Sequence, residues 1–179
     1  MKPAVKTTRD YKLSYKKKSA TTDAYLPRRG NYSLSVCESC HSVYKNKRWY
    51  SGTADYENAM KNSSATKIVC PACMKIRDNF PGGIVTLKGD YVLPHKTGLM
   101  NLIRNEEERA RGLNPLERVI SVKENGFGSI VISTTNEKLA QRIGRAVKKA
   151  FHGDVTYRWS HDNKLVRVDW IRQSHGAGK

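Results

Sequence analysis

No apolar run in this chain approaches the roughly 18 residues that a membrane-spanning helix needs. The longest apolar clusters, Gly98–Ile103 and Ser129–Ser133, reach a third of that or less. The N-terminus lacks the apolar core of a signal peptide, so the expected location is cytoplasmic. Aromatic residues make up 8% and hydrophobic residues 38% of the chain, which predicts that only part of its 179 residues builds a core. Acidic residues are scarce: 16 against 33 Lys and Arg, a formal net charge of +17 and a pI near 9.9. Such a surplus repels itself unless a polyanion balances it, which makes nucleic acid the leading partner, ahead of an anionic membrane surface. Also missing are a phosphate-cradling Walker loop, a nucleophile motif and any cluster among the five histidines. The chain therefore reads as a binding protein and not an enzyme. The enzymatic rival is a metal-dependent nucleic-acid-modifying activity using an acidic residue such as Asp169.

The charge is unevenly placed. Residues 1–30 carry nine basic and two acidic side chains and residues 116–179 twelve and six, whereas residues 31–80 hold seven and four and residues 81–115 five and four. The first stretch has no sustained apolar period and reads, over residues 1–33, as a flexible basic arm. In it Lys16, Lys17, Lys18, Arg28 and Arg29 are candidate phosphate contacts, with Tyr11, Tyr15, Tyr25 and Tyr32 available for stacking. The plain alternatives are a solubilising tail and, more weakly, a transit peptide. Residues 173–179 read as a disordered tail.

All four cysteines fall in two identical spacings, Cys37-Glu-Ser-Cys40 and Cys70-Pro-Ala-Cys73. A two-residue gap lets the backbone turn so that both thiolates reach one ion, and two such knuckles complete the tetrahedral sulfur shell of a structural Zn²⁺. Four thiolates also close the shell against water, which speaks against catalysis by the metal. Disulfides would require an oxidising compartment. A thioredoxin-like pair would require a single CxxC opening a helix, and neither knuckle shows a helical pattern after it. An iron–sulfur cluster uses the same four thiolates, and spacing does not separate it from zinc. His41 is the nearest substitute ligand and reads as a polar neighbour. The strand-like Trp49-Tyr50 and Lys67-Ile-Val69 are expected to pair and bring the knuckles together. Beside the first knuckle, Lys47 and Arg48 are candidate RNA contacts, with Trp49 serving as core.

The pattern predicts a mixed α+β chain: a four-cysteine zinc-ribbon-like module with a following hairpin (84–87 against 90–93) over residues 34–94, a connecting helix within 95–115, and a ββαββ sheet-plus-helix domain over 116–172. The helix of that last unit is expected from a capping box at Thr134–Glu137 to about Phe151. Leu139, Ile143, Ala146, Val147, Ala150 and Phe151 mark its buried face. One residue earlier in the same progression, Lys138, Arg142, Arg145 and Lys149 form an exposed basic stripe. No acidic residue stands four positions before any of them on this helix, so the stripe is a candidate phosphate-tracking surface.

Taken in order, the two CxxC pairs with Tyr44 and Trp49 between them, Gly82-Gly-Ile-Val-Thr-Leu-Lys-Gly89, and the later strand–helix–strand unit with its basic helix resemble the ribosomal large-subunit export adaptor family, founded on nonsense-mediated-decay protein three. The resemblance spans roughly Ser35 to Arg172. It implies zinc at Cys37, Cys40, Cys70 and Cys73 and binding to ribosomal RNA on the large subunit. The family's further upstream cysteine pairs and leucine-rich export signal have no counterpart here, so the implied role is assembly, protection or translation, not nuclear export. A zinc-dependent DNA-binding transcriptional regulator is the alternative, weakened by the lack of a helix-turn-helix.

Overall fold

A computed structural model describes residues 23–26, 33–125, 128–160 and 165–173. Lys16, Lys17, Lys18, Arg28 and Arg29, most of the arm and nearly all of the tail lie outside the described residues.

The architecture is mixed α+β, with two sheets and, among the described residues, four helices. The first sheet holds β1 (Ser35–Cys37), β2 (Val43–Lys45), β3 (Arg48–Tyr50) and β4 (Thr66–Ile68) in the order β3-β2-β1-β4. Helix α1 (Thr53–Met60) and the seven-residue α2 (Pro71–Arg77) complete this module. Asn46 and Lys47 both adopt positive φ to close the tight β2–β3 hairpin. The expected pairing of 49–50 with 67–69 does not form. Instead β4 lies parallel to β1, with Cys37 opposite Ile68, because both strands must lead a knuckle to the same end of the sheet.

The second sheet has the order β6-β7-β5-β9-β8: β5 (Gly83–Lys88), β6 (Val119–Glu124), β7 (Ile130–Thr134), β8 (Asp154–Trp159) and β9 (Val166–Ile171). The hairpin expected after the second knuckle is therefore wrong. Strand β5 is the central strand of this sheet, antiparallel to β7 and parallel to β9, so both its edges are taken and residues 90–93 cannot pair with it. They turn away at Gly89, whose φ is 104° and whose missing Cβ would sit 2.0 Å from the Arg172 carbonyl oxygen. Val92 then drops into the core.

The helix expected only to connect, α3 (Lys96–Leu113), buries Leu99, Ile103 and Ala110 in that same core and packs on α4 (Glu137–Phe151). Helix α4 is capped by Asn136, whose Oδ1 accepts from the Leu139 amide at 3.0 Å. Thr134, the expected first residue of the capping box, ends β7. The buried face of α4 is Leu139, Ala140, Ile143, Gly144 and Val147, and Ala150 is exposed. A Cβ on Gly144 would lie 2.6 Å from Val168 Cγ1, so glycine there sets how closely the helix meets the sheet. Val85, Leu87, Ile130, Ile132, Val166, Val168 and Trp170 fill the interface from the strands, all but inaccessible to solvent.

Candidate functional site

Local structure delivers the four cysteines to one point. Cys37 ends β1, and the His41 amide donates to its carbonyl at 2.9 Å to close the first knuckle, with His41 at φ 60°. Cys70 is the N-cap of α2, with Pro71 at the first helical position, so the second knuckle does open a helix, contrary to expectation. That helix is packed in a sheet module with a second CxxC against it, not in a redox βαβ unit.

The four Sγ atoms all lie within 4.8 Å of one another. Cys37 Sγ is 3.8 Å from Cys73 Sγ, and Cys40 Sγ is 3.7 Å from Cys70 Sγ. Disulfide bonding would need about 2.05 Å. A tetrahedron with metal–sulfur bonds of about 2.3 Å has edges of about 3.8 Å, so the donor set fits a single tetrahedral ion. Cys37 and Cys70 are wholly buried, and amides already point at the sulfurs: Cys70 N–H to Cys37 Sγ at 3.3 Å and Cys73 N–H to Cys70 Sγ at 3.4 Å. Hydrogen bonding from Cys70 and from Ser42 holds Cys40 down, to about 4, against the opposing cost of burial. Cys70 is pushed up by its bond to Cys40 and by burial, and burial with the nearby Cys40 thiolate pushes Cys73 up to about 11. Four thiolates so close cannot all ionise alone; a divalent cation bound among them would supply the missing charge. His41 stands apart, its ring 4.7 Å from that of Tyr56 on α1.

Arg118, which the sequence reading did not single out, donates from Nη1 to Cys73 Sγ at 3.2 Å, and its own amide donates to Thr135 Oγ1 at 2.9 Å. It ties the cysteine cluster to the larger sheet. Lys75 does the same from α2: its Nζ donates to the Thr135 carbonyl at 3.1 Å and to Asp23 at 2.5 Å, both charged side chains being largely buried. Asp23 belongs to the segment expected to be a flexible arm. Residues 23–26 are instead seated on α2, where the Tyr25 hydroxyl donates to Asp78 at 3.1 Å and its ring lies 5.3 Å from Phe80. Nothing in the sequence separates Asp23-Ala-Tyr25 from Asp10-Tyr11 in the same basic stretch.

Between the cysteine module and the wall made by the end of α3, residues 114–117 and the start of α4 lies an open groove of about 500 Å³. Lys47, Arg48 and Trp49 of the cysteine module line one part of it, and Lys138, at the start of α4, lines another. Lys47, Arg48 and Lys138 are exposed, whereas Trp49 is buried against Tyr44 and the cysteines. Glu117 sits at the groove wall, buried, its Oε2 lacking a hydrogen-bond partner and 4.0 Å from Arg142 Nη2. The missing acidic partner of the stripe thus comes from outside the helix, and Arg142 is half-buried beside it. Arg145 and Lys149 remain exposed farther along α4. Among the described residues no helix is long and apolar enough to cross a membrane.

Compared with protein-family models, curated proteins and solved structures, the chain matches none.

Proposed function

We propose that this is a zinc-stabilised, non-enzymatic RNA-binding protein of the cytoplasm that acts on the ribosome's large subunit, in assembly, protection or translation. The observation that carries the reading is the groove. Lys47 and Arg48 arrive from the β2–β3 turn and Lys138 from a helix 90 residues later, and they line one cleft beside a buried tryptophan. Three exposed cations drawn from two modules offer a backbone-tracking surface, and a net charge of +17 supplies the long-range attraction. Among the described residues the one carboxylate lining the cleft, Glu117, is buried beside Arg142 and so subtracts little from it. Zinc is favoured by the sulfur–sulfur distances, which match the edge of a single-ion tetrahedron. The ribosomal assignment rests on the family resemblance in the order of motifs.

Sedimentation of cell lysate through sucrose gradients tests the ribosomal part: the protein is expected to travel with the large subunit or with whole ribosomes. Binding of purified protein to ribosomal RNA and to duplex DNA, with Lys47, Arg48 and Lys138 replaced together by Gln, tests the groove. The triple variant is expected to weaken RNA binding and to flatten its log–log salt dependence by about 2–3. An unchanged salt slope removes the groove from the interface, and preference for duplex DNA turns the reading to a transcriptional regulator.

A further inference from the structure

The larger sheet has two faces, and only one carries α3 and α4. Strict alternation along the strands sends Val85, Leu87, Ile130, Ile132, Val166, Val168 and Trp170 to the helices. Their neighbours face the other way. In one row across the sheet stand Ser121, Ser133, Ile84, Arg167 and Arg158; in the next, Lys123, Val131, Thr86, Asp169 and Thr156. Lys88 follows one step along β5. Lys88, Lys123, Arg158 and Arg167 thus share the face with two carboxylates: Asp169 and, in the row of Lys88 at the end of β8, Asp154.

Two details show that ion pairing within the fold does not account for all of these cations. Arg158 and Arg167 are directly opposite each other on β8 and β9, a like-charge pair that weakens the sheet it sits in. Asp169 offsets only part of the charge. It takes Lys88 Nζ at 2.7 Å and is bonded to Arg158, which leaves Arg167 and Lys123, both exposed, with none of the ion pairs found among the described residues. Lys123 and Arg158 lie on the two edge strands, four strand spacings apart, on the order of 19 Å. That is too wide for one small anion and suits a polymer. The rows contain no aromatic side chain, so they contact phosphate and sugar and do not stack bases.

We infer that this open face is a second RNA-backbone surface, on the side of the sheet opposite the exposed stripe of α4, so that one molecule holds two RNA segments. The inference rests on RNA being the partner, as proposed above, but not on the groove. The sheet layer separates the two surfaces, and one straight duplex cannot touch both.

The test is stoichiometry, by native mass spectrometry and calorimetry, with the full-length protein and a short RNA hairpin of about one helical turn as the probe. The wild type is expected to bind two hairpins. Gln at Lys123, Arg158 and Arg167 is expected to leave one, with the fold kept, since all three side chains are exposed. Gln at Lys138, Arg145 and Lys149 is expected to leave the other. If the sheet-face variant still binds two hairpins with an unchanged salt slope, the inference is overturned while RNA binding through the groove and stripe stands. If the wild type binds no hairpin, RNA is the wrong partner and both readings fall. An acidic peptide that binds the wild type but not the sheet-face variant, where RNA does not compete, also overturns it. Asp169→Asn gives an independent check, since it adds a net charge to the face: hairpin affinity is expected to rise several-fold, and a fall contradicts the inference.

Discussion

The two sheets of this protein are held by different means. The larger is closed by a continuous apolar interior in which Leu87, Leu99, Leu139, Ile143, Val168 and Trp170 are each wholly buried. The cysteine module has a cluster of five buried residues, two of which are ligand candidates themselves: Cys37, Tyr44, Trp49, Cys70 and Ala72. A second small cluster, Val36, Val43 and Ala59, lies on the other side of its sheet. Strands of three residues and so little apolar area leave a module short of buried surface, and a metal ion held by the four thiolates would supply the cross-link. A basic surface can therefore be built on either kind of scaffold, but only one of them should depend on a cation.

The sharpest way to break this comparison is Cys70→Ser, or chelation of the native protein. Metal content is expected to fall to zero and amide exchange in residues 34–80 to accelerate to the unfolded limit, since a structural zinc contributes on the order of 10 kcal/mol. Exchange in β5, β7 and β9 is expected to stay slow. Uniform loss of protection would mean that the two regions share one stability. The converse change, Leu139→Ala, empties part of the larger core and is expected to cost about 2–5 kcal/mol in denaturant unfolding with the metal retained. Arg118→Ala probes the link between the regions. Without the guanidinium on Cys73 Sγ, metal affinity is expected to drop about 10–100-fold, read by competition with a chelator, while the core of the larger sheet is unaffected.

The smallest expected effect is in acid. Burial tends to raise the Asp169 carboxyl, but hydrogen bonds from Lys88 and Arg158 outweigh it and hold the group below the usual range. Its contribution is complete above the unfolded value of about 3.9 and is lost as pH falls through the lower folded one. Asp169→Asn is therefore expected to flatten stability against pH only on the acid side of about pH 4. Metal release, which follows thiolate protonation, is expected at higher pH than this carboxylate loss. If both occur together, the regions unfold as a unit.

What was legible in the linear chain was whatever depends on local spacing. The paired cysteines, the 3.6-residue period of α4 and the strand–helix order of β6 through β9 are encoded within a few residues of each other, and each appears in the folded chain. Partner choice between distant strands is not encoded that way. Gly83–Lys88 has the look of a hairpin strand from its neighbours alone, yet the gap between β7 and β9 claims it for the centre of the other sheet. The same holds for the site. The sequence by itself determined the four ligand candidates and the basic stripe of one helix, because a two-residue gap and a helical repeat are short-range geometry. Only the tertiary structure decided that Arg118 would reach Cys73, that Glu117 would stand by Arg142, that Lys47 would line a groove with Lys138, and that Arg158 would face Arg167. Each of those pairs is made by burying an apolar face, and burial is blind to the charges it brings together.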